Sequence, residues 1–113
     1  MIVMKFGGTS VQDAAAIDRV AAIVRGRAAE KPVVVVSALA KITDQLLAMA
    51  AAAEKAEREN ALALACSARK RHYDTALDLL GTRAFEQIAP DLEADFNALD
   101  DLLRGVVAVG ELT

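Results

Sequence analysis

The sequence predicts an α/β fold with parallel strands, on three observations. A short apolar run, Ile2 to Phe6, ends at the glycine pair Gly7-Gly8. A stretch of helical periodicity follows, with Ile17, Val20, Ala21, Val24 and Ala28 recurring on one face. A second run, Val33 to Val36, is β-branched throughout. Strand, helix, strand is the order that sets two parallel strands side by side, because the helix carries the chain back to the starting end. Unbroken apolar strands belong to sheets covered on both faces.

Each element has a local reason. Gly7 and Gly8 break the first strand. The helix is expected from Val11 to Ala29, with Ser10 and Asp13 at capping spacing. Gly26 weakens its end, and Glu30-Lys31-Pro32 reads as a turn. Ser37 to Lys41, after the second strand, is a loop. The rest reads as helical. Ile42 to Glu59 is alanine-rich. Between Asn60 and Leu80, the residues Leu62, Ala65, Cys66, Tyr73, Ala76, Leu77 and Leu80 share a face. Cys66 and Tyr73 are therefore expected in a core, and His72 at the surface. Gly81 stops this helix, and Thr82 caps the next. Pro90 is expected to interrupt or kink it. Phe85, Leu92, Leu99 and Val106 are spaced by sevens, with Ile88 and Leu102 beside them. Two long antiparallel helices packed together follow from this pattern. Arg104-Gly105 is expected to end the last one.

The bulk numbers narrow the function classes. The chain has 113 residues, enough for one small domain. Its net charge is −3, which carries no nucleic-acid footprint. No apolar run approaches the roughly 18 residues of a membrane span. The N-terminus has neither a basic stretch nor a long apolar one, so no signal peptide is read and the cytoplasm is the default. One cysteine and one histidine argue against a disulfide framework and a zinc site. A sheet of two parallel strands leaves both edges open. The 113 residues are therefore expected to form the first part of a larger α/β domain, prone to self-association.

The chemistry concentrates at the first turn, "KFGGTSV". The glycines let backbone approach a ligand closely. The turn feeds toward a helix N-terminus, whose free N–H groups attract anions. Thr9 and Ser10 add hydroxyls, and Lys5 adds a full positive charge. A phosphate group suits all of these. The order excludes the common phosphate loops, since Lys5 precedes the glycines and G-x-G-x-x-G is absent. A helix cap and a tight turn are the plainer explanation. The lysine favours the phosphate, because a charge ending an apolar strand is costly unless paired or solvated.

"KFGGTSV", followed by "VVVVSALAKITDQLL", resembles the aspartokinase family. The resemblance runs over the whole chain and corresponds to the N-terminal part of that family's catalytic domain, with no regulatory domain. It implies a three-layer α/β/α amino-acid-kinase fold. It implies ATP-dependent phosphorylation of the side-chain carboxylate of L-aspartate, with Mg²⁺. By the same resemblance, Lys5 would be catalytic and contact ATP phosphates. Gly7 and Gly8 would shape the anion pocket, and Thr9 and Ser10 would donate hydrogen bonds there. Ser37 would lie near nucleotide and substrate, and Thr43 would contact aspartate. Glu111, in "GELT", resembles a segment that precedes the family's substrate-site glutamate, and is read as structural. "KIT" fits both bifunctional aspartokinase–homoserine dehydrogenases and single-function enzymes.

The residues are consistent with that chemistry. An aspartate carboxylate, with a reference pKa of about 3.9, is already ionised at neutral pH and needs no general base. The reaction needs positive charge, since an anion must approach a polyanion. Lys41 is a further cation near this end of the sheet: it either helps to neutralise phosphate or is simply solvated, and solvation is slightly favoured. Other phosphotransferases of the amino-acid-kinase fold remain open, as does a non-catalytic helical module. The contiguous "KFGGTSV" favours aspartate.

Overall fold

The computed structural model describes residues 1–112. They fall into two compact units that divide between Ile42 and Thr43.

The first unit is the strand–helix–strand motif. Strand β1, Val3–Phe6, pairs in parallel with β2, Val33–Val36. The register is Val3↔Val33 through Phe6↔Val36, so the two strands are level at both ends. Helix α1, Ala14–Gly26, connects them. It is shorter than expected. Gly8–Val11 forms a separate 3-10 turn, and Asp13, rather than Ser10, caps α1 by accepting the Ala16 amide at 2.8 Å. An aspartate acceptor satisfies one of the orphan donors of the first turn, which fixes the start there. A second 3-10 turn, Ala28–Glu30, leads into β2, and the Arg27 and Glu30 side chains pair across it. Val11, Ala14, Ala16 and Val20 are buried. The four valines of β2 are not: each is 39% to 56% exposed. The covered sheet expected from the apolar runs is thus not closed by the described residues.

The second unit is helical. Helix α2, Ile42–Glu54, starts at the end of the first unit and stops five residues before the expected end. Ala56 takes a left-handed φ of 60°. The Glu57 amide donates to the Ala52 carbonyl at 2.9 Å, and the Ala56 amide to the Ala53 carbonyl at 3.0 Å. This pair of bonds is a Schellman cap, built on alanine where glycine is usual.

Helical stretch α3, Arg58–Glu111, is broken at Gly81, whose φ of 76° and ψ of 169° no helix accommodates. It is therefore a hairpin of two arms, as the sequence predicts. Arg69 of the first arm donates to Asn97 at 3.0 Å and to Asp100 at 3.3 Å of the second. The Tyr73 ring meets Phe85 and Phe96 edge-on at 5.8 and 6.4 Å. The Pro90 interruption does not occur, and Gly81 holds the one non-helical φ/ψ pair of the stretch. Pro90 and Glu86 are both exposed, so the carbonyl left without a donor faces solvent. Nor does Arg104-Gly105 end the helix, which runs to Glu111. An interior glycine costs about 1 kcal/mol relative to alanine, less than burial of a large aliphatic side chain returns. Leu103 and Val107, on either side of Gly105, are buried.

The buried seam of the hairpin runs through Ala61, Ala65, Ala68, Leu103 and Val107. Cys66 is exposed, contrary to expectation. His72 is half-buried: its ring meets Phe96 edge-on at 5.2 Å, and Nδ1 lies 2.7 Å from the Ala68 carbonyl. No helix among the described residues is long and apolar enough to cross a membrane.

Candidate functional site

The site is built at the carboxyl ends of β1 and β2. The level register brings both strands out of the sheet together. One residue further, the Ser37 amide donates to the Phe6 carbonyl at 3.0 Å. The two following loops therefore start side by side, at the end of an α/β sheet where ligands bind.

The loops touch at Gly8. A β-carbon there would lie 3.7 Å from Ala40 Cα, 3.8 Å from Ser37 Oγ and 3.9 Å from the Ala38 carbonyl oxygen. Gly7 takes an ordinary extended conformation, φ −79°, with nothing within 4 Å of its own β-carbon position. Neither glycine needs a left-handed backbone. The pair supplies bare backbone instead, open at Gly7 and lined by Ser37 at Gly8.

Lys5 is exposed on β1 opposite Val35. Strand alternation sets it on the sheet face opposite half-buried Met4 and Phe6. Among the described residues no carboxylate pairs with it.

Thr9 and Ser10 lie on the other side. With Phe6, Ala16, Arg19, Val20 and Ile23 they line a cavity of about 270 Å³. Arg19 is the cation of that cavity, and the sequence reading missed it. Its only signal is a helical position that faces back toward β1 once α1 folds over the strand. Thr43 is exposed in the first turn of α2 and belongs to the second unit.

The expected feed from the glycines into a free helix N-terminus is corrected by the geometry. The Asp13 carboxylate occupies the positive end of α1. The Ser10 amide is engaged with the Gly7 carbonyl at 3.0 Å. Anion donors at this turn must come from the 3-10 segment and the side chains around it. No group of histidine, cysteine or acidic residues among the described residues could hold a metal ion.

The Gly110-Glu111 pair lies in the second unit, in the last turn of α3. A β-carbon on Gly110 would sit 2.9 Å from the Glu54 carbonyl oxygen, closer than real side chains come. The glycine is there to let α3 approach the end of α2, and Glu111 beside it is exposed.

The profile described as Amino acid kinase family matches residues 1–109. The chain belongs to the amino acid kinase family. Among its relatives, a bifunctional aspartokinase/homoserine dehydrogenase 1, chloroplastic, of Arabidopsis thaliana is 34% identical over 111 residues. A bifunctional aspartokinase/homoserine dehydrogenase 2, chloroplastic, of Zea mays is 32% identical over the same length. Each alignment takes 98% of this chain and 12% of the relative. An aspartokinase 3, chloroplastic, of Arabidopsis thaliana is 39% identical over 116 residues, covering 98% of this chain and 19% of that protein. This amino acid kinase chain thus spans under a fifth of the length of these relatives. The similarity to aspartokinases read from "KFGGTSV" is borne out, and both loops that meet at Gly8 lie within the matched range.

Proposed function

We propose that residues 1–113 form the N-terminal part of an aspartokinase catalytic domain. The reaction is transfer of the γ-phosphoryl group of ATP to the side-chain carboxylate of L-aspartate, giving 4-phospho-L-aspartate. This is the first step of the aspartate pathway to lysine, threonine and methionine. The observation that carries the reading is the meeting of the Gly8 and Ser37 loops at the carboxyl ends of two level parallel strands. Lys5 stands unpaired on the first of those strands, in a chain whose relatives are aspartokinases.

In this reading the backbone of Gly7 and Gly8 borders the phosphates. Lys5 offsets the charge that builds as two anions meet. Thr9 and Ser10 donate hydrogen bonds from the Arg19 side, Ser37 lies between nucleotide and substrate, and Thr43 contacts aspartate. Mg²⁺ enters as the counter-ion of ATP. The described residues offer it no cluster, so no step is assigned to a metal held by this chain. The compartment we assign is the cytoplasm.

The test is a coupled ADP-release assay on the full-length protein with ATP, Mg²⁺ and L-aspartate. Aspartate-dependent turnover, with a hydroxylamine-trappable acyl phosphate, supports the reading. Turnover with acetylglutamate, carbamate or uridylate in place of aspartate would move the protein to another branch of the family.

A further inference from the structure

We propose that Lys41 is a second cation of this site, contacting the phosphate chain of the bound nucleotide. The proposal rests on the kinase reading above and adds a residue to it. Three observations carry it.

The first is position. Lys41 ends the loop whose Ser37, Ala38 and Ala40 would lie 3.7 to 3.9 Å from a β-carbon placed on Gly8. The loop therefore delivers Lys41 to the same sheet end as the bare glycine backbone.

The second is conformation. Lys41 has a φ of 70°, in the left-handed region that glycine enters freely and lysine only at a cost. Lys31 and Ala56 are the other non-glycine residues with positive φ among those described. Lys31 precedes β2, at the far end of the strand, and Ala56 belongs to the cap of α2. A loop that required only the turn would be better served by glycine at 41. Of these three, Lys41 alone sets a charge at the sheet end beside Gly8, where an ammonium group can meet an anion.

The third is charge. Lys41 is exposed, and no carboxylate among the described residues pairs with it. Its charge is free for a ligand. A triphosphate meeting a carboxylate is a concentration of negative charge that a single lysine offsets only in part. Lys5, on β1, and Lys41, after β2, would address it from the two strands.

Lys41→Gly removes the ammonium and relieves the backbone at once, so lost affinity cannot be blamed on a damaged fold. Lys41→Arg keeps both the charge and the strain. Binding of ATP and of adenosine to the full-length protein is measured by calorimetry, with Tm alongside. At separations of about 4 Å and partial solvent screening, loss of one charge contact weakens ATP about tenfold in Lys41→Gly. Lys41→Arg recovers most of that affinity. Adenosine, which has no phosphate, binds all three proteins alike. The Tm of Lys41→Gly is equal to or above that of the parent. Unchanged ATP affinity in Lys41→Gly, or an equal loss for adenosine, overturns the proposal. A parent protein that binds ATP with this Lys41 dependence yet never phosphorylates aspartate overturns the aspartokinase reading alone. A parent that binds no ATP overturns both.

Discussion

The Ser37 amide donates to the Phe6 carbonyl at 3.0 Å, one residue past the last paired residues of the two strands. This bond joins the loops before they diverge. The Ser37 backbone is thus structural, while its hydroxyl lies beside Gly8. Two substitutions separate these roles. Ser37→Ala keeps the N–H, so Tm holds while kcat/KM falls by roughly tenfold or more, the scale of one lost hydrogen bond to a charged group. Ser37→Pro removes the donor and leaves the Phe6 carbonyl unpaired, costing about 1–3 kcal/mol of stability. Thermal melts and steady-state kinetics on both variants check the split. Equal kinetics for Ser37→Ala and the parent would remove the hydroxyl from the site.

Lys5 is exposed and has no ion-pair partner among the described residues. Its removal therefore acts on the reaction rather than the fold. Lys5→Ala in the full-length enzyme lowers kcat by roughly 10²-fold or more, by comparison with other preorganised charge-stabilising donors. Stability changes by less than about 0.5 kcal/mol, as at other exposed positions. A near-normal kcat would end the catalytic assignment.

Gly110 and Glu111 are adjacent but do different things. Gly110→Ala forces a β-carbon to 2.9 Å from the Glu54 carbonyl, a backbone group that cannot swing away. Overpacking of this kind costs about 1–3 kcal/mol, read in a denaturant melt. Glu111→Gln leaves the KM for aspartate nearly unchanged, because the exposed carboxylate belongs to the helical hairpin. A large rise in that KM, with ATP binding intact, would place Glu111 in the substrate site.

The parts of the fold legible in the sequence were those with one dominant local cause. Gly81 breaks its helix because its dihedrals are closed to other residues. Four consecutive valines make a strand, and its parallel partner follows from the single intervening helix. The heptad reading of the second arm failed gradually. It holds at Phe85, Leu92 and Leu99, which are half-buried, and then slips by one, to Leu103 and Val107. Leu102, at an expected core position, is 64% exposed. A straight helix drifts by about 20° per heptad against a strict seven-residue repeat, and over three heptads that drift selects the next residue. The slip to Ala61 and Ala68 in the first arm is what left Cys66 outside.

The candidate site could be proposed from the sequence where its residues are consecutive, in Lys5 to Ser10. It was not legible where folding brings distant residues together. Arg19 reaches the Thr9 and Ser10 cavity only because α1 returns over β1. The left-handed backbone of Lys41 leaves no trace in the sequence, since a lysine before a helix is an ordinary solvated residue. The capping role passed from Ser10 to Asp13 because both acceptors suit the spacing and only one geometry forms.

The last prediction concerns the 113-residue chain by itself. It does not phosphorylate aspartate. Phosphoryl transfer gains much of its rate from holding donor, acceptor and metal in one geometry. Lys5, Gly8 and Ser37 border one side of such a site. The described residues add no metal-holding acid cluster, and the Thr9 cavity holds about 270 Å³. The exposed valines of β2 and a two-stranded sheet with open edges also favour pairing between copies. Coupled ADP release with ATP, Mg²⁺ and L-aspartate measures the first point, with a Lys5→Ala control. Sedimentation of the same sample measures the second, with masses above the monomer expected. Aspartate-dependent turnover above the control would mean that these residues hold a complete site. A strictly monomeric sample would mean that the valines are tolerated in water and that the open edges are protected in some other way.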